Sequence, residues 1–503
     1  MKQSNSEEAN PILNSDYHFD YSREPRRDIA FVDMKSFYAS VECLNRGLKP
    51  LSACLCVMST ADNSGGLILA SSPTFKWAFG KHNVSRSRDL PFDVHTRKFN
   101  WYKWNREHAS PWKTEIEQPD PSYVAHVEYW ASKTVFAPPS MGEYIKVNGR
   151  IQKAIHEEIA PYEDCFWYSI DEGFIDLTGS LNYHVSNDEE GLSRSVKLDL
   201  VSKKLQRVIY DATDGIVSTV GMSNSNPLLA KLALDNYAKQ EPTMRALINY
   251  EDVPEKVWTI EKMTDFWGIG ERTEKNLAKF GIHSIKELAR ANPDELKKKM
   301  GVIGVQLYCH ANGIDESYLY GKPYRPKNRS IGNSTTLPRD YYHQASIMLV
   351  IRELAEQVAI RLRRIHQEAT TITLYVGYSL SEGKRAIHCS RKIEPTNNTR
   401  RLCDAIADIF LDKYESGGVR RLGVTYSNLI AEPFHLISLF DEDENDFYHQ
   451  EKENQLQDTI DSIRQQYGFT KLLKASALTK DSRLIKRSKQ IGGHSAGGLD
   501  GLQ

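Results

Sequence analysis

The chain has 503 residues, 26 % of them charged and 40 % hydrophobic, with a formal net charge of −1. That length exceeds what one hydrophobic core supports, so roughly three to five domains are expected in a soluble globular protein. Seven cysteines without a CxxC pair argue against a disulfide framework and against structural zinc, and no apolar run reaches membrane-spanning length. The polar start MKQSNSEEANPILNSDYHFD lacks the apolar segment of a secretory signal, so a reducing, cytoplasmic setting is expected.

Residues 1–26 read as a disordered or loosely packed leader. Ile29 to Val32 reads as a buried strand ending at Asp33, and Ser36 to Leu44 as a helix with Phe37, Ser40, Val41 and Leu44 on one face. Ala53 to Met58 and Leu67 to Ala70 read as strands on either side of a turn at 62–66. Cys54 and Cys56 share one face of the first and read as small core residues. Ser71, Ser72 and Pro73 then open a helix that runs to Gly80. Such a start offers N–H groups and hydroxyls to an anion such as a triphosphate, with Lys76 one turn on; an ordinary capped helix carries the same signature.

From 81 to 132, basic residues (Arg86, Arg88, Arg97, Lys98) mix with the aromatics of Phe99–Trp104, a mixture that stacks on bases or fills a small core. Ser110 to Pro121 reads as a loop, Val124 to Trp130 as a short helix, and Met141 to Glu158 as an amphipathic helix. Tyr168 to Leu177, YSIDEGFIDL, is strand-like and holds two adjacent carboxylates, Asp171 and Glu172. Residues 182–194 read as a loop, Val196 to Tyr210 as a helix, Ile216 to Met222 as a strand and Asn226 to Lys239 as a helix. The irregular alternation suits an α+β sheet with helices on one face.

Phe266 to Ile282 contains Gly268-Ile-Gly270 between two expected short helices. Glycines there let backbone N–H groups approach a DNA phosphate, and a plain helical turn is the alternative. Residues 321–333 read as a tether. Ile331 to Ile437 reads as a second α+β unit with helices at Ala345–His366 and Thr399–Tyr414 and strands at Thr370–Tyr378 and Val419–Asn428. Beyond Phe440 the chain turns acidic, then helical, then basic and Gly-rich, its last roughly twenty residues reading as disordered. Residues 322–430 carry 18 Lys and Arg against 10 Asp and Glu, a net +8, and 271–299 carry 8 against 5, a net +3. Basic stretches of this kind fit a nucleic-acid backbone or a solvated surface.

The chemistry centres on Asp33, Asp171 and Glu172. Neighbouring side chains on a strand face opposite ways, so Asp171 and Glu172 share a ligand only where the strand bends, as at a hairpin. Three carboxylates on neighbouring strands suit hard cations such as Mg²⁺, with phosphates completing the shell. Two such ions about 4 Å apart clamp the attacking and leaving oxygens of a phosphoryl transfer.

Taken in order, these motifs resemble the Y-family, or translesion, DNA polymerases, most closely the UmuC-like branch of bacteria and mobile elements. The resemblance spans about residues 28 to 440. It rests on FVDMKSFYASVE, YSIDEGFIDLTG, VGMSNSNPLLAKLALDNYAK and FWGIGERTEKNLAKFGI. It implies a multidomain right hand: palm at 27–60 and 134–240, fingers with an insertion at 61–133, a helix-hairpin-helix thumb at 241–320, a linker at 321–333, a little finger at 334–440 and a C-terminal tail at 441–503.

The activity implied is template-directed, error-prone extension of a primer with deoxynucleotides during DNA repair. Asp33, Asp171 and Glu172, with the Met34 carbonyl, would hold two Mg²⁺ ions. Tyr38 would be the steric gate against a ribose 2′-hydroxyl. Phe37, Ser72, Thr74, Lys76 and Lys239 would line the nucleotide, and Gly268, Gly270 and Arg272 would meet DNA. Lys76 aligns only with a one-residue shift, and the Lys231-to-Lys239 spacing is one residue longer than the family's. His435-Leu-Ile-Ser-Leu439-Phe440 resembles a sliding-clamp peptide without its leading Gln, or ends the little finger as an edge strand. Partners implied are primer–template DNA, deoxynucleotides, the clamp and SOS accessory proteins. Two rivals are a nucleotidyl cyclase, which has no need of a thumb hairpin, and a non-catalytic DNA-binding or regulatory protein that keeps the fold.

Overall fold

A computed structural model describes residues 19–59, 66–80, 86–109, 118–185, 191–317, 319, 329–431, 444–491 and 494–495. The turn at 62–66, for residues 62–65, and the clamp-like peptide 435–440, with Leu439 and Phe440, lie outside the described residues. The architecture is α+β and multidomain, as expected. A five-stranded sheet runs in the order Cys165–Trp167, Glu172–Asp176, Ile29–Met34, Ser218–Ser223, Arg245–Leu247. A four-stranded sheet runs Ile387–Thr396, Gln367–Tyr378, Val419–Ala431, Ser330–Tyr341, and a three-stranded one Ile68–Ser71, Leu55–Met58, Val135–Ala137. The chain divides into two compact units: Met1–Leu55, Ala70–Trp77 and Tyr144–Lys322 form the first, and Cys56–Leu69, Ala78–Glu143 and Pro323–Gln503 the second.

In the first unit, Ile29–Met34 is the central strand. It pairs antiparallel with Glu172–Asp176 on one side and with Ser218–Ser223 on the other. Directly opposed residues share a face, so Ile29, Phe31 and Asp33 line up with Phe174 and Glu172 and with Gly221. Over that face lies the helix Pro227–Ala233, whose Ala230, with Leu234, packs on Ile29, Phe31 and Phe174. Gly221 permits this approach: a Cβ there would sit 2.1 Å from the Ala230 carbonyl oxygen and 2.4 Å from the Leu234 nitrogen. A second core joins Leu228, Leu229 and Leu232 to Tyr250, Phe266, Ile269, Leu277 and Leu307. The Met141–Glu158 helix has the bounds its periodicity predicts.

Several expectations are corrected. Residues 19–26 are fixed rather than loose: Tyr21 stacks on Tyr250 at 4.9 Å and donates its hydroxyl to the Asn312 carbonyl at 2.8 Å, and Arg26 pairs with Glu251. Of the linker, Ser330 onward is already strand. Among the described residues the second α+β unit has four strands, not two. Ser330–Tyr341 and Ile387–Thr396 escaped notice because their exposed faces carry polar residues and break the apolar run. Of the two readings left open for the aromatic cluster, Phe99, buried against Trp104 and Tyr123, fits the small core, while Trp101 and Tyr102 stay exposed.

In the tail, the helix expected beyond Phe440 is present within 444–491. The segment holds a 24-residue helix, Glu444–Tyr467, and a short helix, Leu484–Ser488. These fix themselves to Gln344–Arg364 through polar groups. Arg464 and Lys474 reach buried Glu356 at 3.0 and 2.8 Å, Asp461 meets Arg363 at 2.8 Å, and the Arg483 N–H donates to Glu353. The sequence reading expected a helix here but not these ionic partners, which lie far away in the chain.

Candidate active site

Asp33 and Glu172 are opposed across the antiparallel pair and share a face. Asp171 sits in the hairpin turn between Cys165–Trp167 and Glu172–Asp176, the bend that adjacent carboxylates require. The turn is held from three sides. The Met34 N–H donates to the Asp171 carbonyl at 2.9 Å, the Asn148 amide donates to the Ile170 carbonyl at 2.7 Å, and Ser169 Oγ donates to Asp171 Oδ1 at 2.8 Å.

The charges are balanced locally by lysines. Lys231 Nζ lies 3.1 Å from Glu172 Oε2 and 3.0 Å from Asp235 Oδ2, and 4.5 Å from the centroid of the Phe31 ring. Burial works against its charge, but Asp235 and Glu172 outweigh that and hold its pKa up. Lys239 Nζ lies 3.9 Å from Asp33 Oδ2. Lys76 donates to Ser36 Oγ at 3.2 Å; burial lowers its pKa, and Asp33 partly restores it. Burial pushes Asp33 up to about 7, with Lys239 opposing and Asp171 and Glu172 adding to the rise. Among the described residues, no three His, Cys, Asp or Glu side chains gather tightly enough to form a metal-binding group.

Phe37 is buried and Tyr38 half-buried at the start of the helix Phe37–Leu44. The Tyr38 ring stacks on Tyr144, centroids 4.3 Å apart and planes at 13°. Tyr144 is anchored in turn, its hydroxyl donating to buried Glu42 at 2.7 Å. Tyr38's own pKa is raised, chiefly by burial and secondarily by Asp171.

Ser72 and Thr74 are placed differently from expectation. The Ser72 hydroxyl oxygen accepts from the Leu55 and Phe75 N–H groups, at 3.0 and 3.3 Å, so it caps its helix inside the fold. Thr74 donates to the Leu51 carbonyl at 2.9 Å. Both hydroxyls serve the chain's own backbone, while Lys239 lies 3.9 Å from Asp33 and Lys76 bonds to Ser36.

Gly268 adopts φ +97°, Gly270 caps the helix Glu271–Ala278, and Arg272 is exposed. Phe266 and Ile269 anchor the turn in the core, and a Cβ at Gly270 would meet only open space. The element before the turn is a single 3₁₀ turn, Met263–Asp265, instead of a helix.

Sequence reasoning did not assign roles to Tyr144, Asn148 and Asp235. Each had a signal. Tyr144 and Asn148 fall in the apolar stripe of an amphipathic helix, and Asp235 lies four residues from both Lys231 and Lys239, the spacing of helical ion pairs.

The fold is that of a right-hand polymerase. It aligns with a solved Y-family DNA polymerase chimera, Dbh-Dpo4(243-245)-Dbh, at a TM-score of 0.53 and 18 % identity, covering 80 % of this chain and 99 % of that one. Residues 116–235 match the impB/mucB/samB family and residues 328–439 match its C-terminal domain. The chain is 33 % identical over 478 residues to UvrX of Bacillus subtilis (strain 168), a protein named for an assumed role in UV-damage repair, covering 95 % of this chain and all of that one. It is 29 % identical over 470 residues to DNA polymerase IV 2 of the same organism, covering 93 % and 98 %. The chain belongs to the Y-family DNA polymerases, in the UmuC-like impB/mucB/samB branch. No helix among the described residues is long and apolar enough to cross a membrane.

Proposed function

We propose that this chain extends a primer on a DNA template, including past damaged bases, by joining deoxynucleotides to its 3′ end. The observation that carries this is Asp33 facing Glu172 across one strand pair, with Asp171 in the adjoining turn and three lysines around them. The donor set is all hard oxygen, and burial makes an uncompensated charge on Asp33 costly. Both properties fit divalent cations such as Mg²⁺. Asp33, Asp171, Glu172 and the Met34 carbonyl would hold them. The cations would supply neutralisation of the charge that builds on the transferring phosphate.

In the reaction, the primer 3′-oxygen bonds to the α-phosphorus, the bond to the bridging oxygen breaks, pyrophosphate departs and the hydroxyl proton passes to solvent. Lys76 and Lys239 offer ammonium groups to the triphosphate, and Tyr38, backed by Tyr144, presents a flat ring to the sugar. Gly268, Gly270 and Arg272 present backbone and charge to duplex phosphates without reading sequence. The domain limits are those given above, with two changes: residues 19–26 join the first unit, and 444–491 join the little finger.

The test is primer extension with Mg²⁺ and deoxynucleotides on intact and abasic templates, wild type beside Asp171→Ala/Glu172→Ala. Extension by wild type that the double variant loses is expected. Extension by both would remove the carboxylates from the chemistry. Template binding without extension by either would favour a DNA-binding protein that keeps the fold.

A further inference from the structure

Four ion pairs link the two strands of the site into one chain of alternating charge. Glu172 meets Lys231 at 3.1 Å, Lys231 meets Asp235 at 3.0 Å, Asp235 meets Lys239 at 3.0 Å, and Lys239 lies 3.9 Å from Asp33. Asp235 is the middle member and uses both oxygens, Oδ2 toward Lys231 and Oδ1 toward Lys239.

The backbone explains how one helix serves all three positions. In a regular α-helix each step of four residues drifts by about 40°, so positions 231, 235 and 239 would fan over about 80°. Here the helix Pro227–Ala233 widens into a π turn, Leu234–Ala238. A π turn takes an extra residue and turns back that drift; such turns inside α-helices recur at functional sites. The turn therefore brings positions 235 and 239 back toward the face of Lys231.

The two lysines differ in freedom. The Lys231 side chain is 8 % exposed and held by two carboxylates, whereas the Lys239 side chain is 46 % exposed on a long flexible stem. Asp235, itself fixed from the buried side by Lys231, is what restrains Lys239.

We propose that Asp235 is a positioning residue, seated by the π turn, that holds the Lys239 ammonium beside Asp33 where the triphosphate of an incoming nucleotide would meet it. This rests on the polymerase reading above. Asp235 touches no reacting atom. Its effect passes through Lys239 and falls on nucleotide affinity more than on turnover.

The test is steady-state single-nucleotide insertion by the full chain for wild type, D235N, D235E, K239A and D235N/K239A, with a thermal midpoint for each. D235N is expected to raise the nucleotide KM about tenfold with kcat changed less than about threefold. D235E, which keeps the charge, should restore most of the affinity. D235N/K239A should match K239A alone, since residues acting through one contact are not additive. An unchanged KM in D235N overturns the proposal, as does a D235N effect that multiplies with K239A. A fall in kcat and thermal midpoint at constant KM would make Asp235 merely structural, which also overturns it. No insertion by wild type overturns the polymerase reading instead, and with it this role for Asp235.

Discussion

Replacing Asp33 by Asn should stabilise the protein in the absence of divalent cations, and more so as the pH rises. Burial moves the Asp33 carboxyl from 3.8 to about 7. Its folded pKa thus exceeds its unfolded one, so the stability tied to its proton is fully present below about pH 4 and lost as pH climbs to about 7. An Asn side chain carries no such dependence and has nearly the shape of the protonated acid. Between pH 5 and pH 8 the comparison spans about two pH units of this loss, at about 1.4 kcal/mol each. The advantage of D33N over wild type should therefore grow by roughly 2–3 kcal/mol across that interval. Calorimetric scans in EDTA at pH 5, 6, 7 and 8 would show the two thermal midpoints separating up to neutrality and running parallel above it. Mg²⁺ at pH 8 should narrow the gap by stabilising wild type alone. A gap constant from pH 5 to pH 8 would refute the reasoning, because it would mean that Asp33 ionises freely in the folded state.

Tyr144→Leu removes the ring against Tyr38, a stack worth about 0.5–1.5 kcal/mol, and should raise the ratio of ribonucleotide to deoxynucleotide insertion by several-fold; an unchanged ratio would show that the Tyr38 ring is held by other contacts. Gly221→Ala puts a methyl 2.1 Å from the Ala230 carbonyl oxygen, which should cost at least about 1–3 kcal/mol and lower kcat by shifting the helix that carries Lys231. Wild-type melting and turnover in that variant would contradict the close approach. Arg464→Ala strips one of two cations from buried Glu356 and should cost about 2 kcal/mol in denaturant unfolding. Burial opposes the Glu356 charge, but Lys474 and Arg464 together hold its pKa below 4.5. The ion pairs stabilise above that value and are lost as pH falls, so the Arg464→Ala penalty should shrink in acid; a penalty that persists there would point to lost apolar contact by the arginine stem.

The elements of the candidate site were legible because their signals are local. Asp33 closes a short apolar run, Asp171 and Glu172 break an otherwise strand-like one, and the Met141–Glu158 helix has unbroken periodicity with matching bounds. Ser72 and Thr74 show the limit of such signals. A hydroxyl at a helix start reads the same whether it faces an anion or its own backbone, and only the fold gives the Ser72 oxygen to the Leu55 and Phe75 N–H groups. The 444–491 segment shows another. Its helix was legible but its ionic partners were not: Glu353, Glu356 and Arg363 lie about a hundred residues away, at separations of 130, 108 and 98.

Composition, local periodicity and the order of motifs by themselves determined the α+β class of fold and singled out the three carboxylates, since each depends on neighbours within one turn or strand, whereas a gate role for Tyr38 came only from the resemblance. Tertiary structure alone decided what surrounds them. It set Glu172 opposite Asp33 through strand register, laid a helix on that face because Gly221 has no side chain, and backed Tyr38 with a ring 106 residues away. The positions of Lys231, Asp235 and Lys239 read in sequence only as two helical steps of four residues. Whether such a helix stays regular or widens into a π turn depends on what its two ends are packed against. Here Ala230 and Leu234 pack on the sheet while the lysines join its ion pairs, and a π turn leaves Lys239 beside Asp33.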